Sequence, residues 1–98
     1  MGLPYKTATH TVVTVTTASG VALAANGARE YALLINISDT AIYLKLGAAA
    51  VASEGIRLNT VGTVGDRYEM SRALGNLYQG AINAIGGSTK LLLVTEGT

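Results

Sequence analysis

The segment from Tyr31 to Leu46 constrains the fold of this chain more than any other part of its sequence. Two apolar runs, residues 31–37 and 41–46, flank a polar break at 38–40 that reads Ser-Asp-Thr. Isoleucine and tyrosine favour a pleated, half-buried surface, whereas serine and aspartate favour a turn. The pattern therefore predicts a β-hairpin with two strongly apolar strands. Because an isolated hairpin is marginally stable in water, further strands or a partner protein must cover it.

Other strand-like runs recur along the chain at intervals of about 8–12 residues, with turn residues between them. The run from Thr9 to Thr17 is almost entirely β-branched, and 77–85 is predicted to be one strand. The run 91–94 reads Leu-Leu-Leu-Val, which favours a strand buried on both faces. The sequence predicts an all-β fold, a small antiparallel β-sandwich or jelly-roll-like barrel of about seven or eight short strands. We expect one domain at 9–98, preceded by an N-terminal arm at 1–8.

The composition favours assembly with other chains. Hydrophobic residues make up 49% of the 98 residues and charged residues only 13%, against about 25% charged residues in ordinary soluble domains. Alanine and glycine inflate the apolar fraction while burying little area, so a free monomer remains the alternative. With no cysteine, the chain has no disulfide to stabilise it and depends on packing or oligomerisation. We therefore expect a homo-oligomer or a place in a larger assembly.

Charge and hydropathy argue against two classes of partner. The net charge is +1, there is no Lys/Arg cluster, and the only aromatics are five tyrosines, so we expect no nucleic-acid binding. No apolar run approaches the roughly 18 residues of a membrane span. The first residues also lack the hydrophobic core of a signal peptide, so we expect synthesis in a cytoplasm and no membrane partner.

No residue pattern points to catalysis, a metal or a cofactor. His10 is the only histidine and has no nucleophile and acid nearby in sequence to complete a triad. Asp66 and Glu69 are too few for a calcium site, and residues 86–90 lack the Gly-Lys-Ser/Thr order of a phosphate loop. Asn36 begins a glycosylation sequon that we expect to stay unmodified without a secretory signal. The sequence predicts a protein that is not an enzyme and has no cofactor.

The candidate functional residues are interface residues. The charged residues between 57 and 72 form either a solvated face or ion pairs between subunits, because Arg can bind a carboxylate through two nitrogens. Tyrosines are enriched at interfaces but serve equally well as half-buried core residues. With the arm, these considerations give the interface candidates Leu3, Pro4, Tyr5, Tyr43, Arg57, Arg67, Glu69, Arg72 and Tyr78.

Most of the chain, about residues 28–97, resembles small virion structural proteins of tailed bacteriophages. The segments that carry the resemblance are Arg29 with Tyr-Ala-Leu-Leu-Ile-Asn-Ile-Ser-Asp-Thr at 31–40, Ile-Tyr-Leu at 42–44, Gly-Ile-Arg-Leu at 55–58, Tyr-Glu-Met at 68–70, Gly-Asn-Leu-Tyr-Gln-Gly-Ala-Ile-Asn-Ala-Ile at 75–85 and Leu-Leu-Val-Thr-Glu-Gly at 92–97.

The resemblance implies a capsid decoration (cement) protein that binds between subunits of the major capsid protein on the phage head. It favours a trimer and implies no active site. A neck or tail accessory or adaptor protein is the first alternative, and a glycan-binding module on a virion appendage is the second. The absence of Trp and Phe counts against the glycan-binding alternative. In a cement protein, residues 1–8 would become ordered on docking, and the small-residue loops 47–55 and 59–65 would make further contacts.

Overall fold

The strands of this chain sort into two layers. A computed structural model describes residues 7–98, and none of these residues is helical. All strand pairs are antiparallel. The eight strands are β1 (Ala8–Val15), β2 (Gly20–Leu23), β3 (Tyr31–Asn36), β4 (Ile42–Leu46), β5 (Ile56–Leu58), β6 (Arg67–Ser71), β7 (Ile82–Ile85) and β8 (Lys90–Gly97).

The strands form two four-stranded sheets. Sheet I has the order β1-β8-β3-β6 and sheet II has the order β2-β7-β4-β5. Along the chain, only the β4–β5 connection stays within one sheet, and every other connection crosses between the two. Eight strands wound in this way between two sheets form a jelly roll. The prediction of an all-β sandwich of seven or eight short strands is confirmed.

The core lies between the inner faces of the two sheets. Alternating residues of each strand point inward, as the two-residue period of a strand requires. In β3, Ala32 and Leu34 are fully buried, and in β4 Ile42 and Leu44 are fully buried. The other core residues are Val15, Ala22, Leu58, Met70, Ile82, Ala84, Leu92 and Val94.

The predicted hairpin at 31–46 is wrong, because β3 belongs to sheet I and β4 to sheet II. The side chain of Asn36 accounts for the crossing. It is fully buried, and its Nδ2 donates to the carbonyls of Thr40, Leu58 and Asn59 at 2.8, 3.2 and 3.0 Å. Its Oδ1 accepts from the backbone N–H and the hydroxyl of Ser38. These bonds fix residues 36–40 as a corner between the sheets instead of a turn within one sheet.

The strand predicted at 77–85 is shorter in the structure, where β7 covers only Ile82–Ile85. The backbone of the preceding residues is used by other groups. The carbonyls of Tyr78 and Gly80 accept from the Arg29 guanidinium, and the carbonyl of Gln79 accepts from the N–H of Asn26. The carbonyl of Ala81 accepts from Gly47. Residues 77–81 therefore form a loop held by side-chain and loop contacts.

The prediction that the run 91–94 is buried on both faces is also wrong. β8 is a central strand of sheet I, and Leu92 and Val94 are buried in the core. Leu91 and Leu93 point to the opposite side, where they are 41% and 36% exposed. In a two-layer sandwich, a central strand is covered on one face only. The run 91–94 does not show whether a further layer covers the other face.

Of the arm expected at 1–8, the structure describes only the last two residues. Ala8 is the first residue of β1 and lies opposite Gly97. Thr7 and Thr98 exchange two backbone hydrogen bonds, of 3.2 and 2.8 Å. The last residues of the chain therefore hold residues 7 and 8 against sheet I. The interface candidates Leu3, Pro4 and Tyr5 lie outside the described residues.

Candidate functional site

The side of sheet I that faces away from the core carries five apolar side chains, which we call the outer apolar face: Val12, Leu33, Ile35, Leu91 and Leu93. Val12 lies opposite Leu93, and Leu93 lies opposite Ile35, so these three cross the sheet in one row. Val12 is 59% exposed. Sheet II packs only against the inner face of sheet I, so within the described chain this surface stays open.

Polar groups border the outer apolar face. His10 and Thr95 lie in the row that contains Leu33, and His10 Nδ1 is 3.0 Å from the Thr95 hydroxyl. On the β6 side, Arg67 lies opposite Ile35, and Glu69 accepts a 2.7 Å hydrogen bond from the Tyr31 hydroxyl. An apolar centre with a polar border is the usual anatomy of a protein–protein interface.

The outer side of sheet II has a different composition. The Arg57 guanidinium carbon lies 5.9 Å from the centre of the Tyr43 ring, and Arg57 Nε donates to the side-chain oxygen of Asn59. Lys45 forms an ion pair with Glu54, with 3.9 Å between Nζ and Oε2. Most polar side chains on this side therefore have partners within the chain.

The structure does not bring the predicted charged residues into one cluster. Arg57 lies on sheet II, whereas Arg67 and Glu69 lie on β6 of sheet I. Arg67 pairs with Asp66, and Arg72 pairs with Glu30 through nitrogen–oxygen distances of 2.6–3.1 Å.

Hydrogen bonding to arginine holds the carboxylates of the last two pairs in the charged form. The hydrogen bond from Arg67 lowers the pKa of Asp66 below its ordinary value, and the hydrogen bond from Arg72 does the same for the pKa of Glu30. Both carboxylates therefore already have a partner within the chain.

The two tyrosines proposed for the interface occupy different environments. Tyr43 stands on the outer side of sheet II under Arg57. Tyr78 is half-buried and packs against the core. A Cβ atom added at Gly47 or at Gly80 would collide with the Tyr78 hydroxyl. Tyr78 therefore fills space between two loops, as a core tyrosine does.

Arg29 is fully buried, and its role in joining parts of the structure is not apparent from the sequence. Its Nε donates to Glu96 at 2.8 Å, and its Nη1 donates to the carbonyls of Tyr78 and Gly80 at 2.6 and 3.0 Å. Its Nη2 donates to the carbonyl of Ala24. Arg29 thereby joins the loop after β2, the loop before β7 and the end of β8. No local sequence signal separates such an arginine from an exposed one.

The cavity and the acidic and histidine side chains of the described residues were compared with known kinds of ligand site. No group of three His, Asp or Glu side chains in residues 7–98 could hold a metal ion. A cavity of about 60 Å³ lies beside the β1–β2 turn, whereas ligand pockets typically measure about 300–1,000 Å³. Within the same residues, no helix has the length and hydropathy to cross a bilayer. The outer apolar face is the candidate functional site, because it exposes apolar side chains beside a polar border.

Comparison with known proteins identifies no relative of the chain. No protein-family model matches it, no curated protein matches it, and no solved structure matches it. The function must therefore be argued from the surfaces described above.

Proposed function

We propose that this chain is a structural protein of a bacteriophage virion, and that it decorates the head by binding major capsid protein through the outer apolar face. The observation that carries the proposal is the open apolar sheet side with its polar border. The low charge content and the resemblance of residues 28–97 to small phage virion proteins support the same function. The jelly roll also occurs in viral capsid domains, although a fold by itself does not establish a function.

The exposed side chains of the outer apolar face provide a driving force for docking. Full burial of a Val, Leu or Ile side chain contributes about 1.5–3 kcal/mol relative to full exposure. Three of the five residues of the outer apolar face are more than a third exposed, so docking removes a substantial apolar area from water. The cost of association offsets part of this gain. Each copy binds its own equivalent site on a symmetric capsid, so the fraction of sites filled depends on the affinity of this one contact.

Co-sedimentation with empty heads of the phage that carries the gene tests the proposal. We expect the wild-type chain to sediment with the heads. The double variant Leu91→Thr/Leu93→Thr keeps β-favouring residues but removes the apolar contact, and it should remain in the supernatant. Val21→Thr is the matched control, because Val21 is 60% exposed on sheet II. Its binding should equal that of the wild type.

Two results would contradict the proposal. If the wild-type chain ignores the heads, a neck or tail position or an appendage becomes the better assignment. If the double variant and the Val21→Thr control bind equally well, the chain binds heads through another surface. Circular dichroism of each variant confirms that the fold is retained.

A further inference from the structure

The free edge of β1 differs from the other three sheet edges of this molecule. An edge strand exposes unpaired N–H and C=O groups, and proteins usually protect such edges by short length, charge, proline or bulges. The edge strand β6 carries Arg67 and Glu69, and the edge strand β5 has three residues that include Arg57. The edge strand β2 has a register irregularity between Val21 and Leu23.

β1 has none of these protections. It runs for eight residues, Ala8–Val15, in unbroken register with β8. It contains no lysine, arginine, acidic residue or proline. All of its residues except Val13 and Val15 are exposed, and no described strand pairs with its free side. One edge of the four is therefore open to pairing with another strand.

The ladder with β8 shows which backbone groups of β1 point to the free side. Thr7 exchanges both hydrogen bonds with Thr98, and hydrogen-bonded and non-hydrogen-bonded pairs alternate in an antiparallel ladder. The odd-numbered residues of β1 therefore bond to β8. The N–H and C=O groups that point away from β8 belong to Ala8, His10, Val12 and Thr14.

We propose that β1 pairs with β1 of a second copy of this chain, antiparallel and about a two-fold axis, so that the two copies of sheet I form one continuous eight-stranded sheet. The register that uses all four outward residues of the described strand places Ala8 opposite Thr14, His10 opposite Val12, and Thr11 opposite Thr11 of the second copy. Because even-numbered residues meet even-numbered residues, the two outer apolar faces lie on the same side of the joint sheet.

The strand itself favours a second copy as the occupant. Without charged side chains, two β1 strands can meet with no like charges opposed. Cross-strand threonine pairs, as at Thr11, stabilise antiparallel sheets. A second copy also offers an edge of equal length, whereas pairing β1 with β2, β5 or β6 would meet a short, bulged or charged edge. A two-fold contact closes with two copies, so this inference departs from the trimer favoured at the sequence level.

Light scattering of the purified full-length chain over a range of concentrations tests the inference without any capsid, and so independently of the proposed function. We expect a mass twice the 10.0 kDa of one chain. A mass of one or of three chains would overturn the two-fold pairing.

A charge placed on the axis tests the register. Thr11→Lys puts two ammonium groups directly opposite each other in the dimer, whereas in a monomer the side chain is solvent-exposed. We expect the mass to fall to that of one chain. Thr9→Lys is the matched control on the same strand and face, because Thr9 would lie opposite Val13 of the second copy, and it should remain a dimer. Mixing Thr11→Lys with Thr11→Glu should restore a dimer containing one chain of each.

A backbone substitution tests the edge without a change of charge. Val12→Pro removes an N–H that points away from β8, at an edge position where proline is tolerated. It should lower the mass to one chain, while Val12→Thr, which keeps the N–H, should not. If Thr11→Lys and Val12→Pro both remain dimers with native circular dichroism, the copies associate through another surface and the inference is wrong.

Discussion

The two outer sheet faces of this jelly roll differ in how many of their side chains have a partner within the chain. Sheet II presents Lys45, Arg57 and Tyr43, and each of them has a charged, polar or aromatic partner within the chain. Sheet I presents valine, leucine and isoleucine, with polar groups only at its border. The polar side chains of the first face are paired within a single molecule, and Val21 is its one large exposed apolar side chain on a described strand. The second leaves apolar area in water, which soluble monomers rarely do over a contiguous patch unless it is a binding site.

The comparison also bears on the unusual composition of the chain. Only 13% of its residues are charged, and most of the described charged side chains form ion pairs with one another. Among the described residues, few charged side chains therefore remain without an ion-pair partner.

The largest expected effect comes from a substitution on the buried face of β8, compared with one on its outer face. Leu92→Asp would bury an unpaired carboxylate among core residues, because Leu92 is fully buried. The cost of burying such a charge is several kcal/mol or more, comparable with the whole stability of a small domain at about 5–15 kcal/mol. We expect no cooperative unfolding transition for Leu92→Asp in a thermal scan monitored by circular dichroism.

Leu93→Asp is the matched control one residue away. Its side chain points to solvent from the outer apolar face, so we expect a cooperative transition with a loss of about 1 kcal/mol, the span of strand propensities. If Leu93→Asp is as destabilising as Leu92→Asp, the outer face is needed for folding and the contrast between the two sheet faces fails.

The next largest effect concerns Arg29, which joins loops of sheet II to the end of β8 in sheet I. Arg29→Ala would leave Glu96 and the carbonyls of Ala24, Tyr78 and Gly80 without their donor. Breaking a buried ion pair on one side costs about 3–5 kcal/mol. Urea denaturation should show this loss. Arg72→Ala, which breaks the exposed pair with Glu30, should cost less than about 1 kcal/mol.

An equal loss in the two arginine variants would contradict the assignment of Arg29 as the residue that joins the layers. Arg29→Lys sharpens the test, because a single ammonium group cannot reproduce the planar set of donors of a guanidinium. We expect Arg29→Lys to be nearly as destabilising as Arg29→Ala.

Local sequence patterns predict the individual strands of this molecule better than their arrangement. The strands β1, β5 and β6 lie close to where β-branched and alternating residues place them. The prediction of a hairpin at 31–46 is wrong because the same polar sequence can form a turn within one sheet or a connection between two sheets. The bonds of Asn36 to Leu58 and Asn59 decide that question, and they join residues 22 and 23 positions apart.

The position of the candidate site also depends on the arrangement of the strands, which local sequence patterns do not predict. The run 91–94 signals a strand with apolar residues on both sides, but only the layer order shows that Leu91 and Leu93 face solvent. Charge makes Arg57, Arg67, Glu69 and Arg72 interface candidates in the sequence, but each of them has a partner within the chain. The contiguity of exposed apolar side chains across neighbouring strands, which the sequence alone does not report, distinguishes the outer apolar face.

A smaller effect tests whether the paired side chains on the outer side of sheet II stabilise the single chain and take no part in an interface. Arg57→Ala removes the contact with the Tyr43 ring and the hydrogen bond to Asn59. Exposed cation–π contacts contribute about 0.5–1 kcal/mol, so urea denaturation should show a loss of that size. Arg57→Ala should leave the oligomer mass unchanged. A change in mass would mean that sheet II also contributes to an interface.

The smallest expected effect is a pH dependence of stability, caused by three carboxylates near the ends of strands of sheet I. Hydrogen bonds from Arg72, Lys90 and Arg67 lower the pKa values of Glu30, Asp39 and Asp66. A carboxyl group whose pKa is lower in the folded state binds its proton more weakly there than in the unfolded chain. Its contribution is therefore complete above the unfolded pKa and is lost as the pH falls through the folded pKa.

The melting temperature should accordingly fall as the pH decreases below the ordinary carboxyl pKa values of 4.5 for Glu30 and 3.8 for Asp39. Because these ion pairs are at least partly exposed, the loss of stability at low pH should be smaller than the loss caused by Arg57→Ala. It should decrease further at high salt concentration. Glu30→Gln removes one titrating group and should flatten the pH dependence. If Glu30→Gln leaves the slope unchanged while Asp39→Asn and Asp66→Asn reduce it, the pair of Glu30 with Arg72 contributes nothing to the pH dependence, which then comes from the other two pairs.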